Sequence, residues 1–235
     1  MFVKWFNSKI AQLNKNKLST TERPRVKLRV GKTWLPVKMK GTNFKKRWYA
    51  NYEDYLELQK QKILKKMPTM GPYQASYHSA LKDRLVGLNI GIAGKKVLCL
   101  GARMGAEVKA FLDLDAFAVG IDLNPGPGNP YVLCGDFHEL QFPSKSVQII
   151  FTNSFDHSFD AEKVLSEIKR VLEADGVFIL EAVDSSQRNP GFYESFWWDS
   201  IEDLIVLCSK QGFKLLRRIK FDYPWPGETI IFQND

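Results

Sequence analysis

From residue 96 onward the chain alternates between strand-like and helix-like segments. Short apolar runs bounded by Gly, Pro, Asn or Asp predict strands, and apolar residues spaced three and four apart predict helices. The predicted strands span residues 96–101, 117–122, 131–134, 147–153, 176–181, 213–221 and 228–233. The predicted helices span residues 104–113, 160–173 and 194–211. This alternation is typical of an α/β fold with a Rossmann-like, doubly wound sheet of seven mainly parallel strands.

The last two predicted strands depart from this parallel order. Only residues 222–227 separate them. Parallel neighbours need a crossover connection of a dozen residues or more, so these two strands must pair antiparallel. The sequence therefore predicts a closing hairpin at the carboxyl end of the sheet.

Two further helices are predicted before the first strand of the sheet. In residues 52–66, Tyr52 and Tyr55 share one side with other apolar residues, and lysines occupy the remaining sides. Pro68 ends this helix, because the residue before a proline disfavours helical geometry. A second helix is predicted from about residue 73 to residue 88.

The segment before these helices is polar, basic and interrupted by prolines. Two alternating stretches, residues 26–30 and 34–39, favour either an extended arm or a small hairpin. We therefore predict a basic amino-terminal arm of residues 1–50, followed by a domain of residues 51–235 that includes the two helices.

The positive charge of the chain lies in its amino-terminal part. The net charge is +8 at pH 7, yet residues 1–70 hold 18 Lys and Arg against four acidic residues. The rest of the chain is therefore net negative. Such asymmetry favours an anionic partner for residues 1–66, either nucleic acid or a membrane surface. A solvated basic tail without a partner is the alternative.

Apolar residues near the amino terminus fall close to helical spacing: Phe2, Val3, Trp5, Phe6, Ile10 and Leu13. This pattern predicts a short amphipathic helix that either docks on protein or lies on a membrane surface. No apolar run approaches the roughly 20 residues that a spanning helix needs. We expect a cytoplasmic protein, with peripheral membrane contact as the alternative.

Cysteines and histidines give no sign of a disulfide framework or a metal site. Cys99, Cys134 and Cys208 are widely spaced in apolar surroundings, as expected of core residues in a reducing compartment. The three histidines are scattered without the spacing of metal ligands. We predict no metal site.

The segment from Lys96 to Val108 carries the main chemical signal. It reads as a buried strand, a turn containing Gly101 and Gly105, and the start of a helix; a second strand then ends at Asp122. This arrangement favours a nucleoside cofactor site. A glycine turn that only lets strand and helix pack closely is the alternative.

The spacing of the glycines discriminates between two cofactor classes. A dinucleotide requires glycine at the second position of the motif, where the pyrophosphate approaches the backbone, but Arg103 stands there. S-adenosylmethionine has no pyrophosphate, so a looser turn suffices. The carboxylate of Asp122, at the end of the second strand, is placed to accept hydrogen bonds from both ribose hydroxyls.

Several segments together resemble the class I S-adenosylmethionine-dependent methyltransferases of the methyltransferase type 11 group. The similar region runs from about residue 95 to residue 181, and its segments follow the family's order. They are residues 97–105 (VLCLGARMG), 120–122 (GID), 135–138 (GDFH), 142–143 (FP), 149–157 (IIFTNSFDH), 167–172 (EIKRVL) and 175–179 (DGVFI). The resemblance implies a Rossmann-like fold, S-adenosylmethionine as cofactor and methyl transfer as activity.

The resemblance also implies a role for each matching position in binding the cofactor. The turn residues Gly101, Ala102, Arg103 and Gly105 would hold the methionine part. Asp122 would hold the ribose and Leu123 would pack on the adenine. Asp136 and Phe137 would border the adenine amino group, and Asn153 would lie next to the methionine end. A helix cap is the alternative role for Asp136, and a strand-end turn is the alternative for Asn153.

Two positions depart from the family pattern. Many members carry an acidic residue where Cys99 stands and a glycine where Arg103 stands. Arg103 therefore either reaches the cofactor carboxylate or pairs with Glu107 one helical turn further on.

The acceptor is predicted only by class. Tyr77, His78 and Trp197 lie where this fold usually builds its substrate lid, although Trp197 also suits the core of the helix predicted at 194–211. We expect a small-molecule or saccharide acceptor, methylated at oxygen. His157, tuned by Asp156, is the candidate base, with a polar loop residue as the alternative. The competing hypothesis is a non-catalytic, cofactor-binding or RNA-binding protein that uses its basic arm.

Overall fold

The computed structural model describes residues 30–39, 42–66 and 69–235. The predicted amino-terminal helix and most of the basic arm lie outside these residues. In chain order the elements are β1 (Val30–Met39), β2 (Thr42–Tyr49), α1 (Tyr52–Lys66), α2 (Gly71–Leu88), β3 (Lys96–Leu100), α3 (Ala106–Leu112), β4 (Phe117–Asp122), β5 (Val132–Cys134), β6 (Val147–Thr152), a 3₁₀ turn (Phe155–His157), α4 (Ala161–Val171), β7 (Leu172–Val183), β8 (Phe196–Trp198), α5 (Ile201–Lys210), β9 (Phe213–Phe221) and β10 (Gly227–Asn234).

A seven-stranded sheet forms the centre of the molecule, in the order β5-β4-β3-β6-β7-β10-β9. Strands β3 to β7 pair parallel, whereas β10 pairs antiparallel with both β7 and β9. The predicted α/β fold and its carboxyl-terminal hairpin are therefore confirmed. After β3 the chain adds β4 and β5 on one side of β3 and then returns to add β6 on its other side. The strand order therefore reverses at β3, and ligands of such sheets bind outside the carboxyl ends of the strands at this point.

Helices cover both faces of this sheet because each has an apolar side. On one face, Leu81 and Leu85 of α2 and Phe111 of α3 pack with the buried side chains of β3. On the other face, Leu165 of α4 and Leu204 of α5 pack with β6, β7 and β10. The two layers fix the carboxyl edges of β3, β4 and β6 relative to one another. Within the described residues, no helix combines the length and apolar character needed to cross a bilayer.

A second, three-stranded sheet has the order β1-β2-β8. Its strand β8 corrects the helix predicted at 194–211, which begins only at Ile201. The reason is a capping box: the Ser200 side chain accepts from the Asp203 backbone N–H while the Asp203 carboxylate accepts from the Ser200 backbone N–H. The aromatic residues before it are buried as a strand, so the helix-core interpretation of Trp197 is wrong.

The amino-terminal hairpin also differs from the prediction. Residues 34–39 belong to one strand with Val30, and the partner strand is β2, so that Val37 faces Phe44. Strand β2 pairs in turn with β8, and the Nε of Arg47 donates to the Glu194 carbonyl at 2.7 Å. Residues 30–49 are thereby hydrogen-bonded to the rest of the fold, although the predicted domain boundary lies at residue 50.

Candidate functional site

The turn after β3 has a shape that only glycine permits at its first position. Gly101 has a φ of +66°, and a Cβ atom there would lie 2.7 Å from the Cβ of Ser154. Gly105, with a φ of +94°, lies against Tyr131 and Val132 in the same way. The backbone of the turn therefore passes close to the neighbouring strand ends, and the concave side of the turn remains open.

Asp122 lies directly beside this turn. Its Oδ2 accepts from the backbone N–H of Arg103 and its Oδ1 accepts from the backbone N–H of Asn124, both at 2.9 Å. Burial raises the pKa of this carboxyl group, although the two backbone donors oppose the shift. Because each carboxylate oxygen can accept a second hydrogen bond, the pair can still receive two hydroxyl groups of a ligand.

A cavity of about 500 Å³ opens at the turn and extends past the carboxyl ends of β4, β6 and β7. Among the predicted residues, the cavity is lined by Gly101, Arg103, Asp122, Leu123, Phe137, Asn153, Asp156 and His157. The sequence-predicted residues that do not line it are Ala102, Gly105, Asp136, Tyr77, His78 and Trp197. The structure thus brings most of the predicted cofactor residues and both predicted catalytic residues to one cavity.

Comparison with known proteins agrees with this geometry. The family model described as "Methyltransferase domain" matches residues 88–180, which contain the turn, Asp122 and the strand ends around the cavity. Residues 88–180 therefore match a methyltransferase domain. The predicted cofactor is S-adenosylmethionine, and the glycine turn, the two open positions on Asp122 and the adjoining cavity fit that molecule.

Solved structures of other methyltransferases share the fold. One is the 1,6-didemethyltoxoflavin-N1-methyltransferase of Burkholderia thailandensis with bound 1,6-didemethyltoxoflavin and S-adenosylhomocysteine; it is 14% identical, with 85% of this chain and 98% of that chain covered and a TM-score of 0.63. A methyltransferase from Aquifex aeolicus is 15% identical, with 66% and 89% covered and a TM-score of 0.53. No curated protein sequence matches the chain.

Arg103 adopts one of the two arrangements that the sequence left open. Its guanidinium pairs with the buried carboxylate of Glu107 one helical turn further on. The same guanidinium lies 5.6 Å from the ring centre of Tyr73 and 5.4 Å from that of Tyr77. The Nδ2 of Asn153 also donates to Glu107, at 3.2 Å. Arg103, Tyr73 and Asn153 form a polar wall at the end of the cavity nearest the turn, and Glu107 supports this wall from behind.

Tyr77, predicted as a substrate residue, lies behind this wall. It is fully buried, and its hydroxyl donates to Oε2 of Glu181 at 2.8 Å. Arg84 of α2 pairs with the same carboxylate through two nitrogens, at 2.7 and 3.1 Å. Glu181 lines the cavity although the sequence analysis did not single it out. The sequence could have indicated Glu181, because it is the last residue of the predicted strand 176–181 and ligands of such sheets bind at the carboxyl ends of the strands.

The two predicted catalytic residues follow β6 in the 3₁₀ turn. The Nδ1 of His157 donates to the carbonyl of Tyr193 at 2.9 Å, which leaves Nε2 as an acceptor for the Lys62 ammonium at 2.5 Å. Burial and the charge of Lys62 lower the pKa of His157 to about 3, so its ring is neutral. Burial raises the pKa of Asp156, whose Oδ1 lies 3.8 Å from that Nε2.

Asp136 begins a turn and does not cap a helix, because no helix follows it. Its Oδ1 accepts from the backbone N–H and Nδ1 of His138, at 2.9 and 2.8 Å, and its Oδ2 accepts from the hydroxyl of Tyr52 at 2.6 Å. Burial alone would raise the pKa of Asp136, but these hydrogen bonds lower it overall. The neighbouring Phe137 lines the cavity and stacks on His138.

The remaining two predicted substrate residues lie elsewhere. His78 is on the outer part of α2, with its Nε2 3.1 Å from Oδ2 of Asp113. Trp197 is buried in β8, opposite Lys45 of β2. Further side chains that line the cavity were not predicted, among them Tyr55, Gln59, Lys62, Thr69, Met70, Val183, Arg188, Glu194 and Trp225.

Proposed function

We propose that this methyltransferase transfers the methyl group of S-adenosylmethionine to a hydroxyl group of a small-molecule or saccharide acceptor. The observation that carries the proposal is the continuity of the cavity. It runs from Asp122 past Asn153 to a polar group formed by Asp156, His157 and Glu194. A cofactor held at the turn would therefore face hydrogen-bonding side chains suited to a polar acceptor.

The residues of the turn would bind and orient the cofactor. The open acceptor positions of Asp122 would take the ribose hydroxyls, and Leu123 and Phe137 would flank the base. Asn153 and the Arg103 guanidinium would border the amino acid part. When bound, S-adenosylmethionine supplies a methyl group on an already activated leaving group, so positioning provides much of the rate acceleration.

His157 would receive the hydrogen bond of the acceptor hydroxyl. Its ring is neutral and its Nδ1–H is fixed by the Tyr193 carbonyl, so Nε2 presents a lone pair to the cavity side. Lys62 now occupies that lone pair, and an acceptor hydroxyl would take its place. Asp156, whose pKa is raised by burial, is the adjacent group that would hold the released proton.

One solved relative supports the small size of the acceptor. The Burkholderia thailandensis enzyme holds 1,6-didemethyltoxoflavin together with S-adenosylhomocysteine on a fold that covers 85% of this chain. That enzyme is named for methylation at nitrogen. Oxygen is proposed here because a neutral imidazole and a carboxylate suit the deprotonation of a hydroxyl. The anionic partner of residues 1–66 and the cytoplasmic location stay predictions.

The proposal is tested by measuring S-adenosylhomocysteine formation with a panel of monosaccharides, phenols, and matched amines. We expect turnover with at least one hydroxyl acceptor and a loss of about 100-fold in kcat for Asp156→Asn or His157→Gln, with cofactor affinity unchanged. Turnover with amines alone, or full activity in both variants, would contradict the oxygen assignment. The Asp184→Asn variant, whose half-buried residue does not line the cavity, is the matched control.

A further inference from the structure

We infer that the hydroxyl of Tyr55, on α1, recognises the amino group of the cofactor's adenine, in the role that the family pattern gives to Asp136. The inference rests on the adenosyl site described above and goes beyond it, because it assigns base recognition to a helix outside the matched domain. Two observations carry it: Asp136 is hydrogen-bonded within the protein and does not line the cavity, whereas Tyr55 lines the cavity and has a buried hydroxyl with no partner among the described residues.

Asp136 is committed to the fold. Three hydrogen bonds of 2.6 to 2.9 Å reach its two oxygens, from the Tyr52 hydroxyl and from the backbone and ring of His138. Nε2 of the same imidazole accepts from the backbone N–H groups of Phe159 and Asp160, which holds the ring in place. The carboxylate does not line the cavity. Oδ2 keeps one open acceptor position, but adenine in the cavity could reach it only if this cluster moved.

Tyr55 lies one helical turn after Tyr52 and faces the cavity instead. Other rings surround its aromatic ring, with centroids 5.3 to 5.6 Å away: Tyr49, Tyr52, His138 and Phe159. The side chain has no solvent exposure, yet Tyr55 lines the cavity together with Leu123 and Phe137. The side chain is therefore packed by aromatic rings at the edge of the cavity.

The Tyr55 hydroxyl has no hydrogen-bond partner among the described residues. A buried hydroxyl without a partner is unfavourable, so a ligand group that satisfies it gains affinity. A phenol can accept from the exocyclic amine of adenine, whereas a purine that carries only hydrogen at position 6 offers the hydroxyl no partner. Tyr55 would therefore make the site select adenosyl ligands over their 6-deamino analogues.

Binding of S-adenosylhomocysteine and of its 6-deamino analogue, which has hydrogen in place of the adenine amino group, to the full chain tests this inference by calorimetry. In Tyr55→Phe we expect the Kd of S-adenosylhomocysteine to rise about three- to tenfold, the range of one lost neutral hydrogen bond. The Kd of the 6-deamino analogue should change less than about twofold, so the preference between the two ligands shrinks by the same factor. The melting temperature of the ligand-free variant should stay equal or rise, because the change removes an unpartnered buried hydroxyl.

Tyr49→Phe is the matched control. It also removes a buried hydroxyl, one that is bonded to Ser195 Oγ at 2.6 Å and does not line the cavity. This control should lower the melting temperature and keep the ligand preference of the wild type. An unchanged preference in Tyr55→Phe would overturn the inference while leaving the adenosyl site intact. Failure of the wild type to bind either ligand would overturn the adenosyl site itself.

Discussion

Gly101 has two separate reasons to be glycine, and a substitution can tell them apart. Its φ is +66°, and an added Cβ would meet the Ser154 side chain at 2.7 Å. We expect Gly101→Ala to lower the free energy of unfolding by about 2–4 kcal/mol, because backbone strain and crowding both contribute. Chemical denaturation measures this loss, and weaker binding of S-adenosylhomocysteine should accompany it.

Gly128 provides a matched control for that prediction. It has the same φ of +66°, but an added Cβ would meet nothing within 4 Å. Gly128→Ala should therefore cost only about 1 kcal/mol, the backbone contribution alone. Equal losses for the two variants would show that contact with Ser154 does not shape the turn.

His157 makes the stability of the protein depend on pH. Its pKa is lowered to about 3 by burial and by Lys62, whereas an unfolded histidine titrates near 6.5. Between these values the unfolded chain binds a proton that the folded chain does not, so stability falls as the pH drops through this window. From pH 7 to pH 5 the wild type should lose about 2 kcal/mol more than His157→Gln. Urea unfolding at both pH values measures the difference, and equal losses would contradict the buried, neutral ring.

At the scale of elements, a buried ion pair joins α2 to β7 at the base of the cavity. Arg84 binds the fully buried carboxylate of Glu181 through two nitrogens. Removing one partner leaves a buried charge without compensation, so Arg84→Ala should lower the free energy of unfolding by about 3 kcal/mol or more. Lys82 lies on the same helix in an exposed pair with Asp113, and Lys82→Ala should cost less than about 0.5 kcal/mol. Similar losses in denaturant unfolding would contradict this difference.

Elements with local signals could be predicted from the sequence. The helix 52–66 and the strands 117–122 and 213–221 have the predicted bounds, because their apolar spacing and flanking residues lie within the element itself. Strand β8 could not be found in this way. Its partner β2 precedes it by about 150 residues, and only that long-range pairing makes three consecutive aromatic residues a strand.

At the scale of the whole molecule, the hairpin of β1 and β2 covers part of the core. Phe44 is 2% exposed and packs on Phe196 with ring centres 4.9 Å apart. A chain of residues 51–235, cut at the predicted domain boundary, would expose this contact and the edge of β8. We expect that chain to have a melting temperature at least about 5 °C below that of residues 30–235, or to aggregate. Equal melting temperatures would show that the hairpin is dispensable.

The cavity also shows what the sequence could predict of the site. Asp122 ends β4, and Asn153 and His157 follow β6, on the two sides of β3 where ligands of such sheets bind, so the order of the elements predicts their proximity. The opposite wall comes from α1, the segment before β8, and the turn between β9 and β10. No local pattern relates these three segments, which is why Lys62, Glu194 and the other residues of that wall were missed.

The central claim, that the Asp122 carboxylate holds the ribose of an adenosyl ligand, is tested most directly by calorimetric titration of S-adenosylhomocysteine into wild type and Asp122→Ala. Two hydrogen bonds to a charged group would be lost, so the account predicts binding at least about 100-fold weaker in the variant. Asp184→Ala should bind like the wild type. An affinity for Asp122→Ala within about threefold of the wild type, in a variant that remains folded by circular dichroism, would contradict the account.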